Sequence, residues 1–277
     1  MKLSTKKRIS RAAIFIILML VVLLTFFPYY FMVVSSLKNN AEIAANPFAP
    51  TVPLRFENYI DSFGMILKYL KNSILVSGAS VIGTVVVGVL SSYVFARFEF
   101  PGKNFFYMFI LAFMMVPSVL TLIPQYVLVS DLKLIGTFWA VILPSIATAQ
   151  IQFIVILRPF IEGLPKDLFD AARLDGASHP QLFRNVVMPL VKSTIISLTL
   201  MAFLNSWNDF VWPMLTLSAN SDLKTITLGL YSYRDAQQIL YGPMFAGFVL
   251  ASVPMIILFS LNMKNFISGI TSGAVKG

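Results

Sequence analysis

Residues 12–27 read Ala-Ala-Ile-Phe-Ile-Ile-Leu-Met-Leu-Val-Val-Leu-Leu-Thr-Phe-Phe, and the run continues to Ser36 without a charged side chain. A helix rises 1.5 Å per residue, so about 20 apolar residues cross a bilayer's hydrocarbon core. This run is long enough. It follows Lys2, Lys6, Lys7, Arg8 and Arg11, a basic start like that of a signal peptide. The apolar stretch is too long for a signal-peptide core, however, and no small-residue cleavage site follows it, so it reads as a retained anchor. Five further stretches meet the same test, at about 72–95, 105–129, 138–157, 193–216 and 244–263. The expected fold is an all-α polytopic membrane protein with six transmembrane helices. A basic cytoplasmic N-terminus, 1–11, leads into a single transmembrane domain, 12–277.

Composition agrees. Of 277 residues, 57% are apolar and 12% charged, against about 25% charged in a soluble domain, and mean hydropathy is +0.80. One core of this size cannot hide so much apolar surface, so lipid must cover much of it. Zero cysteines and a single histidine exclude disulfides, thiolate metal sites, a cysteine nucleophile and a multi-histidine cluster. We therefore expect no metal site and no catalytic residue. No G-x-x-x-x-G-K-[ST] or G-x-G-x-x-G string occurs, which argues against nucleotide chemistry within the chain.

The net charge of +9 is a matter of topology, not of nucleic-acid binding. With the N-terminus in the cytoplasm, 14 of the 21 Lys and Arg residues fall on the inner side and seven outside, as the positive-inside rule expects. An even number of spans then returns the C-terminus to the cytoplasm.

The anomaly is the inner connection 158–192, a hydrophilic interruption holding Arg158, Glu162, Lys166, Asp167, Asp170, Arg173, Asp175, His179, Arg184 and Lys192. Its local signals predict two helices joined by a sharp turn. Pro165 suits a first helical turn, and Asp167 and Asp170 lie near the positive end of the helix dipole. Gly176 can take the left-handed conformation that ends a helix. Ser178 with Gln181 reads as a capping box, and Pro180 is tolerated in the first turn that it opens. Leu164, Leu168, Ala171, Ala172 and Leu174 give the first helix a modest apolar stripe. A helix of about ten residues is marginal alone, so the bundle or a docked protein must hold it.

The string Asp170-Ala-Ala-Arg-Leu-Asp-Gly176, nine residues, then Val186-Val-Met-Pro189 resembles the cytoplasmic loop of permease subunits of ATP-binding-cassette importers. That loop follows the pattern E-A-A, three residues, G, nine residues, I-x-L-P. The spacing matches; Asp170, Val186 and Met188 replace Glu, Ile and Leu. Tyr93-Val-Phe-Ala-Arg-Phe-Glu-Phe-Pro-Gly-Lys103, Trp207-Asn-Asp-Phe-Val-Trp-Pro213, Gly269-Ile-Thr-Ser-Gly-Ala-Val-Lys-Gly277, Asn46-Pro-Phe-Ala-Pro50 and Phe56-Glu-Asn-Tyr59 are similar to the carbohydrate group of these importers, specifically the maltose-permease second-subunit-like group. The resemblance implies a non-catalytic subunit in a bacterial or archaeal cell membrane. It implies as partners a homologous second permease subunit, two ATPase subunits that bind the ATP, and an extracytoplasmic solute-binding protein, with a carbohydrate as solute. No cofactor is implied for this chain itself. Asp170, Ala171, Ala172, Arg173, Asp175, Gly176, Ala177 and Pro189 become the candidates for ATPase coupling, with Ala171 and Ala172 small enough for close approach. The tail 273–277 and the loop of about 218–242 become candidate contacts with the ATPase and the binding protein. The plainer reading of the loop is a surface helix in which Asp170 and Arg173 pair at i,i+3.

Independently of that likeness, Asn205, Asn208, Asp209 and Trp212 stand at i, i+3, i+4 and i+7, one face of a continuous fifth span. Polar groups at the centre of a span are expensive and should face the bundle or a wet path. An amide, a carboxylate and an indole suit a sugar; they equally suit hydrogen bonds between helices. Ser80, Thr84, Gly88 and Ser92 form a small-residue seam on which another helix can pack. Pro117 and Pro124 should kink the third span, and Pro144, Pro213 and Pro254 can loosen others. His179 reads as a polar residue at a turn.

Three alternatives stay open. Another solute, such as glycerol phosphate or a polyol, fits the same architecture, although no Lys or Arg stands mid-span to meet a phosphate. An ion-coupled secondary transporter should show internal repeats or paired ionisable residues, and a membrane-embedded enzyme a second acid or a nucleophile–base pair.

Overall fold

A computed structural model describes residues 5–217, 221–231 and 239–274. Among these every regular element is helical, and no strand occurs. In chain order they are α1 (Thr5–Ser36), α2 (Asn40–Ala45), α3 (Glu57–Arg97), α4 (Lys103–Met114), α5 (Ser118–Asp131), α6 (Trp139–Glu162), α7 (Lys166–Leu174), α8 (His179–Leu182), α9 (Met188–Leu190), α10 (Lys192–Asn208), α11 (Val211–Leu217), α12 (Ile226–Tyr231) and α13 (Tyr241–Ala274). A π-helical turn, Phe183–Val187, joins α8 to α9. Four stretches are long and apolar enough to cross a membrane unbroken: Ser10–Ser36, Ile66–Arg97, Trp139–Glu162 and Tyr241–Lys264. Two bent helix pairs bring the total to as many as six. The fold is an all-α, polytopic membrane fold.

One bent pair and one helix end correct expectations. The stretch 105–129 is not one kinked helix: α4 and α5 meet at 107°. Met115 and Val116 interrupt the helix, and Pro117, with no N–H and a ψ of 129°, stands outside α5 as its N-cap. Pro124, Pro144 and Pro254, by contrast, lie inside continuous helices. The stretch 193–216 is also divided. The division lies at Asn208, where α10 ends and Asp209 turns extended with ψ 123°; the 77° bend between the helix from His179 and α10 falls at Val191, before this stretch.

The chain forms two compact units, the first from residues 1–67 and 230–253, the second from 68–229 and 254–277. In the first, polar groups fix the turn after α1. Asn58 Nδ2 donates to the carbonyls of Ser36 and Lys38, both at 2.9 Å, and the buried Lys38 donates to the Asn46 carbonyl at 2.6 Å. Asn39 and Glu42 form a capping box on α2, and the Glu42 carboxylate also receives Arg55 Nε and Nη2 at about 3 Å. That guanidinium, with the Asn39 backbone N–H, holds the Glu42 carboxyl below its usual pKa, because both favour the charged form.

The second unit holds the main core. Val89 and Tyr93 of α3, Phe153, Leu157 and Ile161 of α6, and Phe169, Leu182, Val187, Val191 and Leu198 downstream pack as one cluster. Lipid is as apolar as these side chains, so close fit, not escape from water, drives such packing within the bilayer. The small-residue seam supplies that fit. A Cβ at Gly88 would stand 2.6 Å from the Phe153 Cβ, and Ser92 Oγ reaches across to the Phe153 carbonyl at 3.2 Å.

Candidate functional site

The segment after α6 folds as its local chemistry dictates. Pro165 (φ −54°, ψ 130°) stands one residue earlier than expected, at the N-cap and not in the first turn, and α7 runs for nine residues with Asp167 in its first turn. At the other end Gly176 takes φ +80°. Its N–H donates to the Arg173 carbonyl at 3.0 Å, and the Ala177 N–H to the Ala172 carbonyl at 2.9 Å. This is the Schellman pattern, in which a left-handed residue lets two amides satisfy carbonyls of the last turn. Two residues later Gln181 Oε1 accepts from the Ser178 N–H at 2.7 Å and from its hydroxyl at 2.9 Å, so the next helix starts at His179.

What holds so short a helix is Arg97, at the end of α3. Its Nη2 donates to the carbonyls of Ile161 and Leu164 at 2.7 and 3.3 Å, and its guanidinium lies 3.7 Å over the ring of Phe169. Phe169, 4% exposed, is the anchor of α7 in the core. Tyr93 packs on Phe98 and Phe183 with centroids 5.8 and 5.1 Å apart, and the His179 ring lies 4.7 Å from that of Phe98. An aromatic and cationic clamp thus joins α7 to α3 and α6.

Opposite Phe169 on α7 stand the exposed Ala171 and Leu174, while Asp170 and Arg173 stand at the rim of the clamped side, in a pocket with Tyr93, Arg97 and His179. Asp170 and Arg173 are more than half exposed and only loosely paired, at 3.8 Å, a contact worth a few tenths of a kcal/mol. Leu174 is 90% exposed, and Ala171, Asp175, Gly176 and Pro189 also lie at the surface. Ala172 and Ala177 turn inward onto the core, so of the two alanines only Ala171 offers the close approach expected of both.

The single face proposed for Asn205, Asn208, Asp209 and Trp212 does not exist, because the helix ends between the second and third of them. Asp209 Oδ1 instead accepts the Trp212 N–H at 3.3 Å, holding the start of α11, and its carbonyl accepts the Thr227 hydroxyl at 2.8 Å. Trp212 is buried, with Nε1 donating to the Ala140 carbonyl at 2.8 Å. Asn208 is exposed and lines no cavity with the others. Asn205 and Asp209 do meet, in a cavity of about 220 Å³ between α3, α6 and the end of α10.

The sequence pattern of the binding-protein-dependent transport system inner membrane component family matches residues 84–271, the stretch that contains the clamp, α7 and all of this cavity's lining but Ser80 and Val81. The chain belongs to that family. It is an inner-membrane permease subunit of the ATP-binding-cassette importers, and its relatives are carbohydrate permeases. It is 33% identical to the arabinooligosaccharides transport system permease protein AraQ of Halalkalibacterium halodurans, over 88% of each chain. It is 30% identical to the diacetylchitobiose uptake system permease protein NgcG of Streptomyces coelicolor, over 88% of this chain and 82% of that one. Among solved structures it is similar to a bacterial ABC transporter involved in the import of the acidic polysaccharide alginate. There the TM-score is 0.82 at 20% identity, covering 96% of this chain and 99% of the other. Within the permease family fold, the Arg97–Phe169 contact that holds α7 is one that motif spacing did not mark. The one signal for it was an arginine at the end of a span, where a charge needs a partner.

Proposed function

We propose that this chain is one of two homologous permease subunits in an ATP-driven carbohydrate importer, working with two ATPase subunits and an extracytoplasmic solute-binding protein. Both termini lie in the cytoplasm. The exposed Asp170, Ala171, Arg173, Asp175 and Leu174 at α7 seat on an ATPase subunit, with Gly176 and Pro189 shaping the segment. Closure of the ATPases on ATP pulls α7; Phe169 and Arg97 hand the motion to α6 and α3, and rigid-body rocking exposes the solute path to one side and then the other. The observation that carries this reading is the construction of α7, clamped to the bundle through Phe169 while an almost fully exposed Leu174 stands on the far face and a loose, exposed ion pair at the rim. The relatives named for their carbohydrate substrates support the solute class. The contacts expected of residues 218–220, 232–238 and 275–277 lie outside the described residues.

The test is co-purification of the cognate ATPase with this chain from membranes. Leu174→Asp should reduce recovered ATPase at least tenfold while the chain's membrane level stays constant. Unchanged recovery in Leu174→Asp and in the double variant with Arg173→Glu would overturn the docking role.

A further inference from the structure

The cavity between α3, α6 and the end of α10 is chemically one-sided. Thr84, Ser145, Thr148, Gln152, Asn205 and Asp209 supply its polar lining, and Val81, Ala149 and Ala202 its apolar patches. Asp209 is the one ionisable group among the lining residues, which include no lysine, arginine or aromatic ring. Ser80 and Ser206 also line it, Ser80 being 2% exposed with its hydroxyl unpaired among the described residues. Ser145 and Thr148 spend their protons on carbonyls of their own helix, at 2.8 and 3.0 Å, so toward the cavity their oxygens can only accept. Asp209 likewise accepts. The amides of Gln152 and Asn205, which line the cavity, offer both kinds of bond.

A sugar ring meets this set well: its hydroxyls donate to the carboxylate and the two acceptor oxygens and accept from the amides, and its C–H faces lie on the alanines. The cavity, about 220 Å³ and open on the side of the exposed Asn205, is on the scale of one sugar ring. The lack of an aromatic stacking platform keeps the hold weak, which suits a passage that must release what it admits. An anionic sugar would bring its carboxylate beside Asp209 with no cation in the lining to offset the two. The alginate importer shares this fold at 20% identity, so the fold alone does not set charge preference.

We propose that this cavity is a transit subsite for a single neutral sugar ring, and that Asp209 is its specificity-determining group, rejecting acidic saccharides. The assignment rests on the permease reading above and names the solute chemistry of its path. Two like charges a few ångströms apart at an effective dielectric of about 20 correspond to discrimination of about tenfold or more.

The chain has no cysteine, so Thr148→Cys or Asn205→Cys places a unique thiol of this subunit in the cavity of the assembled transporter in membrane vesicles. Its modification rates by a trimethylammonium-ethyl and a sulfonatoethyl methanethiosulfonate are measured, each divided by the rate of a free thiol in solution. The normalised preference should favour the cation at least tenfold. It should collapse towards one with Asp209→Asn and persist with Asp209→Glu. Millimolar diacetylchitobiose, lactose or an arabinooligosaccharide should slow labelling, and a diuronate should not. Equal normalised rates, a preference unmoved by Asp209→Asn, protection by the diuronate, or failure of both thiols to react would overturn the subsite. ATP-driven uptake is scored separately. Uptake without charge preference removes this proposal alone, whereas charge preference and sugar protection without ATP dependence remove the coupling reading and leave the subsite.

Discussion

Gly176 offers a perturbation whose cost can be worked from geometry. It takes φ +80°, and nothing lies within 4 Å of where a Cβ would stand, so substitution meets conformational strain and no clash within the chain. A left-handed conformation costs an L-residue about 1–2 kcal/mol, enough to lower the population of the correct turn about 5- to 30-fold against alternatives. Asparagine tolerates that region better than alanine, and a β-branched valine worst. Loss of coupling should therefore follow Asn, then Ala, then Val, an order set by backbone preference and not by side-chain size. The assay is ATP hydrolysed per solute imported in proteoliposomes holding the complete transporter, with hydrogen exchange of the amides of 166–182 as the structural readout. Gly176→Trp adds bulk against whatever docks there and should uncouple while the chain stays in the membrane. If Gly176→Asn is more damaging than Gly176→Ala, or Gly176→Val couples normally, the turn does not transmit force as argued.

Arg97→Ala removes two charge-assisted hydrogen bonds and a guanidinium–ring contact, together worth about 2–3 kcal/mol; faster exchange of the 163–176 amides should report it, with Arg97→Lys only partly restoring protection. Trp212→Phe leaves the buried Ala140 carbonyl without its donor and should lower thermal stability by about 1 kcal/mol while leaving the KM for solute unchanged, since the indole lies outside the cavity. Glu42 has a folded pKa below its unfolded value of 4.5, so the stability it contributes is full above 4.5 and is lost as pH falls through the lower folded pKa. Acid melting curves should show that loss in the native chain and not in Glu42→Gln.

The sequence was most legible where structure is decided locally. Pro165, Gly176 and the Ser178–Gln181 pair act within four residues of themselves, and the segment they delimit folds as expected, with Pro165 shifted by one residue. Apolar length likewise located the spans, because the bilayer imposes it. Direction is another matter. Hydropathy over 105–129 is the same whether the chain runs straight or turns by 107°, and Pro117 looks alike as a kink and as an N-cap. The stripe at 205–212 failed for a related reason: periodicity presumes a continuous helix, whereas Asp209 leaves it to accept the Trp212 N–H that starts α11, and Trp212 is buried against Ala140, 72 residues away. The Arg97–Phe169 clamp joins residues equally remote in the chain.

The central claim is that work done by a separate ATPase enters through α7. It is tested most directly by solute accumulation in liposomes containing this chain alone, the chain with its partner permease and binding protein, or those three with the ATPase. The account predicts accumulation only in the last, only with ATP, and at least tenfold reduced by Leu174→Asp. Accumulation by the chain alone, without any nucleotide-hydrolysing subunit, would contradict it.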